Sequence, residues 1–152
     1  MGKAKHISEH EFAEAARRRQ AVRRYLFTSE RAANAVGLTA ARADLLAVVR
    51  GFGTDEAPSA SEVAIALAVT LPSLQELLDR SIADGLVTKT PDPNDGRRQL
   101  IRVTPRGEDK LRQLLSLHRT ELAAASRLLL EALSTTGRDG QVARARRTAG
   151  RA

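Results

Sequence analysis

The 152-residue chain has no cysteine and no tryptophan, and only one tyrosine and three phenylalanines. Without cysteine there is no thiolate nucleophile, no zinc-thiolate cluster, no iron-sulfur ligation, no disulfide and no thiol-based sensing of oxidants. Valine and isoleucine together number 13, against 26 alanines and 20 leucines, a balance that favours helix and excludes an all-β fold. No uncharged apolar run approaches the ~18 residues of a membrane span, and Met1 to Phe12 carries no apolar stretch of the secretory type. The expectation is a cytoplasmic protein with no membrane association.

What is abundant is arginine. The chain carries 25 Lys and Arg against 18 Asp and Glu, a formal charge of +7, so an acidic polymer is the default partner. The charge is unevenly spread. Residues 1–50 have 10 basic groups to 5 acidic, residues 51–100 have 4 to 8, and residues 101–152 have 11 to 5. The middle of the chain is therefore acidic, and the basic ends flank it. At this length one compact domain with a true hydrophobic core is expected, without staples.

Residues 8–27 place Phe12, Ala15, Ala16, Val22 and Leu26 at helical spacing, with Arg17, Arg18, Arg19, Arg23 and Arg24 as the solvated face between them. Thr39 is placed to cap a second helix, Ala40 to Arg50, which Gly51-Phe52-Gly53 stops. Ser59 or Ser61 caps a third helix of about two turns that runs through Leu67. After a turn at Ala68 and Val69, Thr70 caps a fourth, with Pro72 in its first turn, Leu74, Leu77, Leu78 and Ile82 on one side, and Gly85 at its end. Leu86 to Thr90 and Gln99 to Thr104 read as strands joined by the turn residues Pro-Asp-Pro-Asn-Asp-Gly at 91–96. From Arg106 a long helix is predicted toward Leu133, carrying Leu111, Leu114, Leu115, His118, Leu122, Leu129 and Leu133 as core or seam. Residues 137–152 read as a flexible basic tail.

Short helix, tight turn, helix and hairpin in that order spell a winged helix-turn-helix on a mostly α chain. The second helix of such a pair needs a capped, exposed N-terminus whose free N–H groups can face phosphate, and Thr70 with Ser73 supplies it. The hairpin tip, or wing, needs an arginine narrow enough for the minor groove, and Arg97 and Arg98 stand there.

On these residues the chain resembles the multiple antibiotic resistance regulator (MarR) family of bacterial repressors. Asp95-Gly96-Arg97-Arg98-Gln99-Leu100-Ile101-Arg102-Val103-Thr104 fits the family's wing signature D-x-R-x5-L-T, with Val103 in place of Leu. Asp79-Arg80 followed by Asp84-Gly85-Leu86-Val87 is similar to its recognition-helix exit and first wing strand. Thr104-Pro105-Arg106-Gly107 is similar to the start of its long C-terminal helix. The resemblance spans roughly residues 8–134.

It implies a homodimer built from an N-terminal helix (1–28) and a long C-terminal helix (105–134), around a DNA-binding domain at 39–104. Phe12, Leu26, Leu111, Leu115, Leu122 and Leu129 would form the dimer seam. It also implies double-stranded DNA as partner, read as a pseudo-palindrome and released when a small, often aromatic or anionic, effector binds. Thr70, Pro72, Ser73, Gln75 and Glu76 would face the bases, Asp95, Arg97 and Arg98 would serve the wing, and Arg80 and Lys89 would be further DNA-binding residues. Arg97 would enter the minor groove while Asp95 braces the tip. The chain departs from the family in placing Leu71 and Glu76 where basic residues are common, and in a C-terminus without an apolar stripe.

Tyr25 and His118 are the polar candidates for an effector pocket. His6 and His10 lie four apart, but two imidazoles without a carboxylate cluster make a poor metal site, and surface histidines are expected. No catalytic constellation is present at any defensible spacing, so neither an enzyme nor a cofactor nor a metal is expected. Two functions of different kinds remain. One is a ligand-responsive repressor; the other is a winged-helix protein-interaction module whose acidic recognition helix no longer reads DNA.

Overall fold

The computed structural model describes residues 7–53 and 57–134, leaving aside the side chains at 120 and 121. The expected basic tail at 137–152 and His6 lie outside the described residues. Six helices and one hairpin follow in order: α1 (Glu9–Ala35), α2 (Ala40–Gly51), α3 (Ala60–Leu67), α4 (Leu71–Ala83), β1 (Val87–Pro91), β2 (Gln99–Val103), α5 (Pro105–Leu117) and α6 (123–134), with a π-helical turn at His118–Leu122 between the last two. The chain divides into two units. One holds the described residues up to Ser29 and from Arg119 onward; the other, Glu30–His118, is the winged domain.

Most boundaries have local causes. Ser8 and Glu11 close a capping box at the start of α1, with Glu11 accepting from the Ser8 N–H at 2.8 Å and the Ser8 hydroxyl at 2.9 Å. Ser59 and Glu62 repeat the device on α3. Thr39, Thr70 and Thr104 each accept a backbone N–H from three residues on, at the starts of α2, α4 and α5. Gly37 and Gly85, at φ +75° and +68°, turn the chain out of α1 and α4 in the left-handed region that suits glycine. The turn between α3 and α4 reaches the same region with Ala68, at φ 53°, and swings the two helix axes by 107°.

Three expectations are corrected. Helix α1 does not stop near residue 27 but continues to Ala35, because no glycine or proline lies between Glu9 and Gly37, and Thr28 is accommodated inside the helix with its hydroxyl donating to the Arg24 carbonyl. Its last turn belongs to the winged domain, where Ala32 and Ala33 are buried. The long C-terminal helix is interrupted by the π turn at His118–Leu122. Its first part, α5, packs into the winged domain, so Leu111 is a core residue, 5% exposed, and not a seam residue. Leu122 is likewise already buried in a single chain, whereas Phe12, Leu26 and Leu115 are exposed and Leu129 is half-buried.

The core of the winged domain gathers Leu45, Leu46 and Val49 from α2, Val63 and Ala64 from α3, Leu74 and Leu78 from α4, Val87 and Ile101 from the strands, and Leu111 and Leu114 from α5. The hairpin is antiparallel, with Val87 opposite Val103 and Lys89 opposite Ile101. Its second strand is held from the other side as well. Ile101 N–H donates to the Pro58 carbonyl at 2.8 Å, and Ser59 bridges to Leu100.

Where α4, the strand pair and α5 meet, backbone replaces side chain. A Cβ added to Gly107 would run into the Leu86 carbonyl oxygen, Val103 and Leu46, whereas one added to Gly96 would meet open space. Gly107→Ala should therefore cost about 1–3 kcal/mol through overpacking against backbone. Gly96→Ala should stay within about 0.5 kcal/mol of wild type. Urea unfolding midpoints of the two variants check the contrast.

Candidate nucleic-acid interface

The surface opposite the core of α4 is polar and exposed, since Leu74, Leu78 and Ser81 turn inward while Pro72, Ser73, Gln75, Glu76, Asp79 and Arg80 face solvent. Thr70 forms the cap, and its hydroxyl also donates to Ser73 Oγ at 2.9 Å. The free N–H groups of the first turn are thus presented at an exposed helix end, as contact with phosphate requires.

The acidic groups on this helix are not bare. Arg80 donates through Nη2 to Glu76 Oε2 and through Nε to the Glu76 carbonyl oxygen, both at 3.1 Å. Gln75 donates to Asp79 Oδ1 at 2.7 Å, and Lys89 of β1 stands 3.6 Å from the same oxygen. Each carboxylate has a cation beside it, so the exposed face of α4 is close to neutral. Sequence spacing shows the Glu76 to Arg80 pair, at i and i+4. It does not show Lys89, which the hairpin brings back to α4.

The wing tip is ordered by its own aspartates. Asp95 accepts the Arg97 N–H on Oδ1 at 3.0 Å, Asp92 accepts the Asn94 N–H at 2.9 Å, and the Asp92 N–H donates to the Arg98 carbonyl at 2.9 Å. The two adjacent arginines are then separated by the fold. Arg98 turns back, donating through Nη2 to Glu62 Oε2 at 2.6 Å with Asp92 at 3.7 Å from Nη1. The Arg97 guanidinium has no ion-pair partner among the described residues. Arg98, expected at the DNA with Arg97, is a strut between wing and α3, and Glu62 is the site residue that sequence reading passed over. The local spacing from Ser59 to Glu62 is visible in the sequence, but the 36-residue reach to Arg98 is not.

Glu62 accepts the Ser59 N–H at 2.7 Å, the Ser59 hydroxyl at 2.7 Å and Arg98, which together hold its carboxyl down from the ordinary 4.5 to about 2. Glu62 raises Arg98 further above its ordinary range in return. His118 lies at the end of the winged domain with its Nε2 buried and without a hydrogen-bond partner, and burial lowers its pKa. Tyr25 is half-buried on the part of α1 in the other unit. Two grooves of the winged domain, one lined by Thr39, Arg42, Val69, Ser73 and Glu76 and one by Arg50, Pro58, Ile101 and Glu108, include neither residue. Among the described residues no group of three or more His, Asp or Glu is arranged to hold a metal, and no single helix is long and apolar enough to cross a membrane.

A three-helix body whose second and third helices form the turn, followed by a two-stranded wing, defines the winged helix-turn-helix class. Residues 36–98 match the model of the MarR family. No curated relative matches it. Among solved structures it is similar to a mutant MarR from E. coli complexed with operator DNA, at 24% identity over 76% of this chain and 89% of that one, with a TM-score of 0.59. It is also similar to the transcriptional repressor CouR bound to a 23-mer DNA duplex, at 22% identity, 95% and 99% coverage and a TM-score of 0.65. A third is BpsR of Bordetella bronchiseptica, described for regulation of its DNA binding by 6-hydroxynicotinic acid, at 22% identity, 99% coverage of both chains and a TM-score of 0.59. At these identities each likeness is one of fold.

The Glu62 cluster has a pH signature. Because the folded value lies below the unfolded one, its stabilisation is complete above about pH 4.5 and is lost as pH falls toward 2. Wild type should be more stable than Glu62→Gln at neutral pH and converge with it toward pH 2. Urea unfolding of both proteins at pH 7, 4 and 2.5 measures this.

Proposed function

We propose that the protein is a homodimeric, DNA-binding transcription regulator that represses by occupying a pseudo-palindromic operator and is released by a small effector. It acts by binding and not by catalysis. The observation that carries the DNA-binding part is the asymmetry at the wing tip. Of two adjacent arginines, one is consumed in fixing the wing to α3 and the other is left unpaired at the tip, beside an exposed capped helix. A narrow, rigid arginine is what the negative potential of an A·T-rich minor groove attracts. The MarR and CouR structures that share this fold hold DNA, which supports the same reading.

Dimerisation rests on the other unit. Among its described residues only Leu122 and Ala125 are buried, while Phe12, Val22, Leu26, Phe27, Leu128, Leu130 and Leu133 are exposed. Helices of this kind gain their stability from burying an apolar face, and one chain leaves that face in water. A second copy covers it, and pairs two winged domains for half-sites about 34 Å apart. An effector that favours a different spacing would release the duplex by population shift. Tyr25 and His118 are the proposed polar groups for it; the buried, unpartnered Nε2 of His118 supports that choice. The DNA binding of BpsR is regulated by such a small aromatic acid.

The reading as a protein-interaction module drew on the acidic middle of the chain. With Glu76 and Asp79 facing Arg80 and Lys89, the exposed face of α4 is close to neutral, so the helix itself gives no acidic surface that argues for a protein partner.

Selection of duplexes from a random library, followed by affinity measurement across a salt series, tests the proposal. An enriched, two-fold symmetric sequence bound with a steep negative salt slope is expected; equal weak binding to all duplexes would refute it. On the selected sequence, Arg97→Ala should cost roughly 1–3 kcal/mol, most of it at A·T-rich flanks, and flatten the salt slope by about one. Leu26→Asp should yield monomers in sedimentation at micromolar concentration, and an intact dimer would place the seam elsewhere.

A further inference from the structure

The first turn of α4 shows apolar surface where a helix meeting a duplex would be expected to carry charge. Leu71, at its first position, is 52% exposed and is followed by exposed Pro72. Val69, in the turn before, is 41% exposed, and Ile65, in the last part of α3, is 81% exposed. All four lie on or beside the end of the helix that the DNA-binding reading turns toward the bases.

The polar groups that could read bases are meanwhile engaged with one another. Arg80 is held by Glu76 through two donors, and Gln75 by Asp79. Moving Arg80 to the O6 and N7 of guanine would strip Glu76 of its cation in front of the phosphates. Moving Gln75 to adenine would take its amide from Asp79 in the same field. The Thr70 and Ser73 hydroxyls are engaged in the cap. Beside the backbone N–H groups and the Ser73 hydroxyl hydrogen, the exposed surface of the first turn is hydrocarbon. In the major groove the base pairs present one apolar group, the C5-methyl of thymine.

Resting on the DNA-binding reading above, we infer that Leu71, with Pro72 beside it, is a specificity-determining residue that selects thymine in each operator half-site by packing against its C5-methyl. Val69 and Ile65 continue the apolar surface upstream and help to exclude water from that contact. Reading of this kind leaves the internal ion pairs of α4 intact, so no carboxylate is uncovered on binding.

The inference is separable from the reading it rests on, because uracil keeps the Watson-Crick hydrogen bonds of thymine and lacks only the methyl. The full chain is used to select duplexes from a random library, and each thymine of the selected sequence is then replaced singly by deoxyuridine. Affinity should fall about four-fold at one or two thymines per half-site, as expected for one buried methyl. Leu71→Ala, a surface change, should bind the thymine duplex more weakly and lose the methyl sensitivity at those same positions. A selected sequence without thymine, binding unchanged by uracil throughout, or full methyl sensitivity retained in Leu71→Ala would each overturn the inference and leave the regulator reading intact. A selection that enriches no sequence would overturn both.

Discussion

Thr104 holds together the parts on which any interface must rest. Its N–H donates to the Leu86 carbonyl at 3.0 Å, and its hydroxyl donates to the Gly85 carbonyl at 2.6 Å with the Leu86 carbonyl at 3.1 Å. The same oxygen accepts the Gly107 N–H at 3.1 Å as the cap of α5. One side chain thus satisfies the exit of α4, the root of the wing and the start of α5, three places where unpaired backbone groups would otherwise sit at the edge of the core. Gly107 makes this possible, since only a residue without Cβ lets α5 approach the Leu86 carbonyl so closely. The orientation of the exposed helix and that of the wing are consequently a single variable.

Charge pairing does for the surface what Thr104 does for the backbone. Arg42 pairs with Asp84, Arg50 with Glu108 at 2.6 Å, and Arg98 with Glu62 and Asp92. Exposed pairs of this sort contribute only about 0–1 kcal/mol each, so their effect is on direction more than stability. They fix which side chains stay available. The winged domain is acidic in its middle by composition, yet its carboxylates on α4 and at the wing are spoken for, and Arg97 stands out because its neighbour is not free.

Features that depended on a few adjacent residues were legible in the sequence. The caps at Thr39, Ser59, Thr70 and Thr104, the breakers at Gly37 and Gly85 and the turn residues of the wing act over three or four positions; all but Gly37 and Thr104 show in the pattern alone, Ser59 as one of two candidates with Ser61. What could not be read there depends on distant partners. Leu111 and Leu115 share the same apolar spacing, and only the packing of α5 against α2 decides that the first is core and the second is 51% exposed. Arg97 and Arg98 are equivalent as letters until Glu62 takes one of them. The π turn at His118–Leu122 has no proline or glycine to announce it, because one inserted residue in a hydrogen-bond ladder is a matter of packing and not of propensity.

The burial pattern also divides the labour between the two units. The winged domain owns a complete core, whereas the described residues of the other unit bury only Leu122 and Ala125. The units are joined covalently at two places, between Ser29 and Glu30 within α1 and between His118 and Arg119 where the π turn begins. At the first, the ladder of α1 is continuous. At the second it is reset by the π turn, with a buried imidazole nitrogen that has no partner.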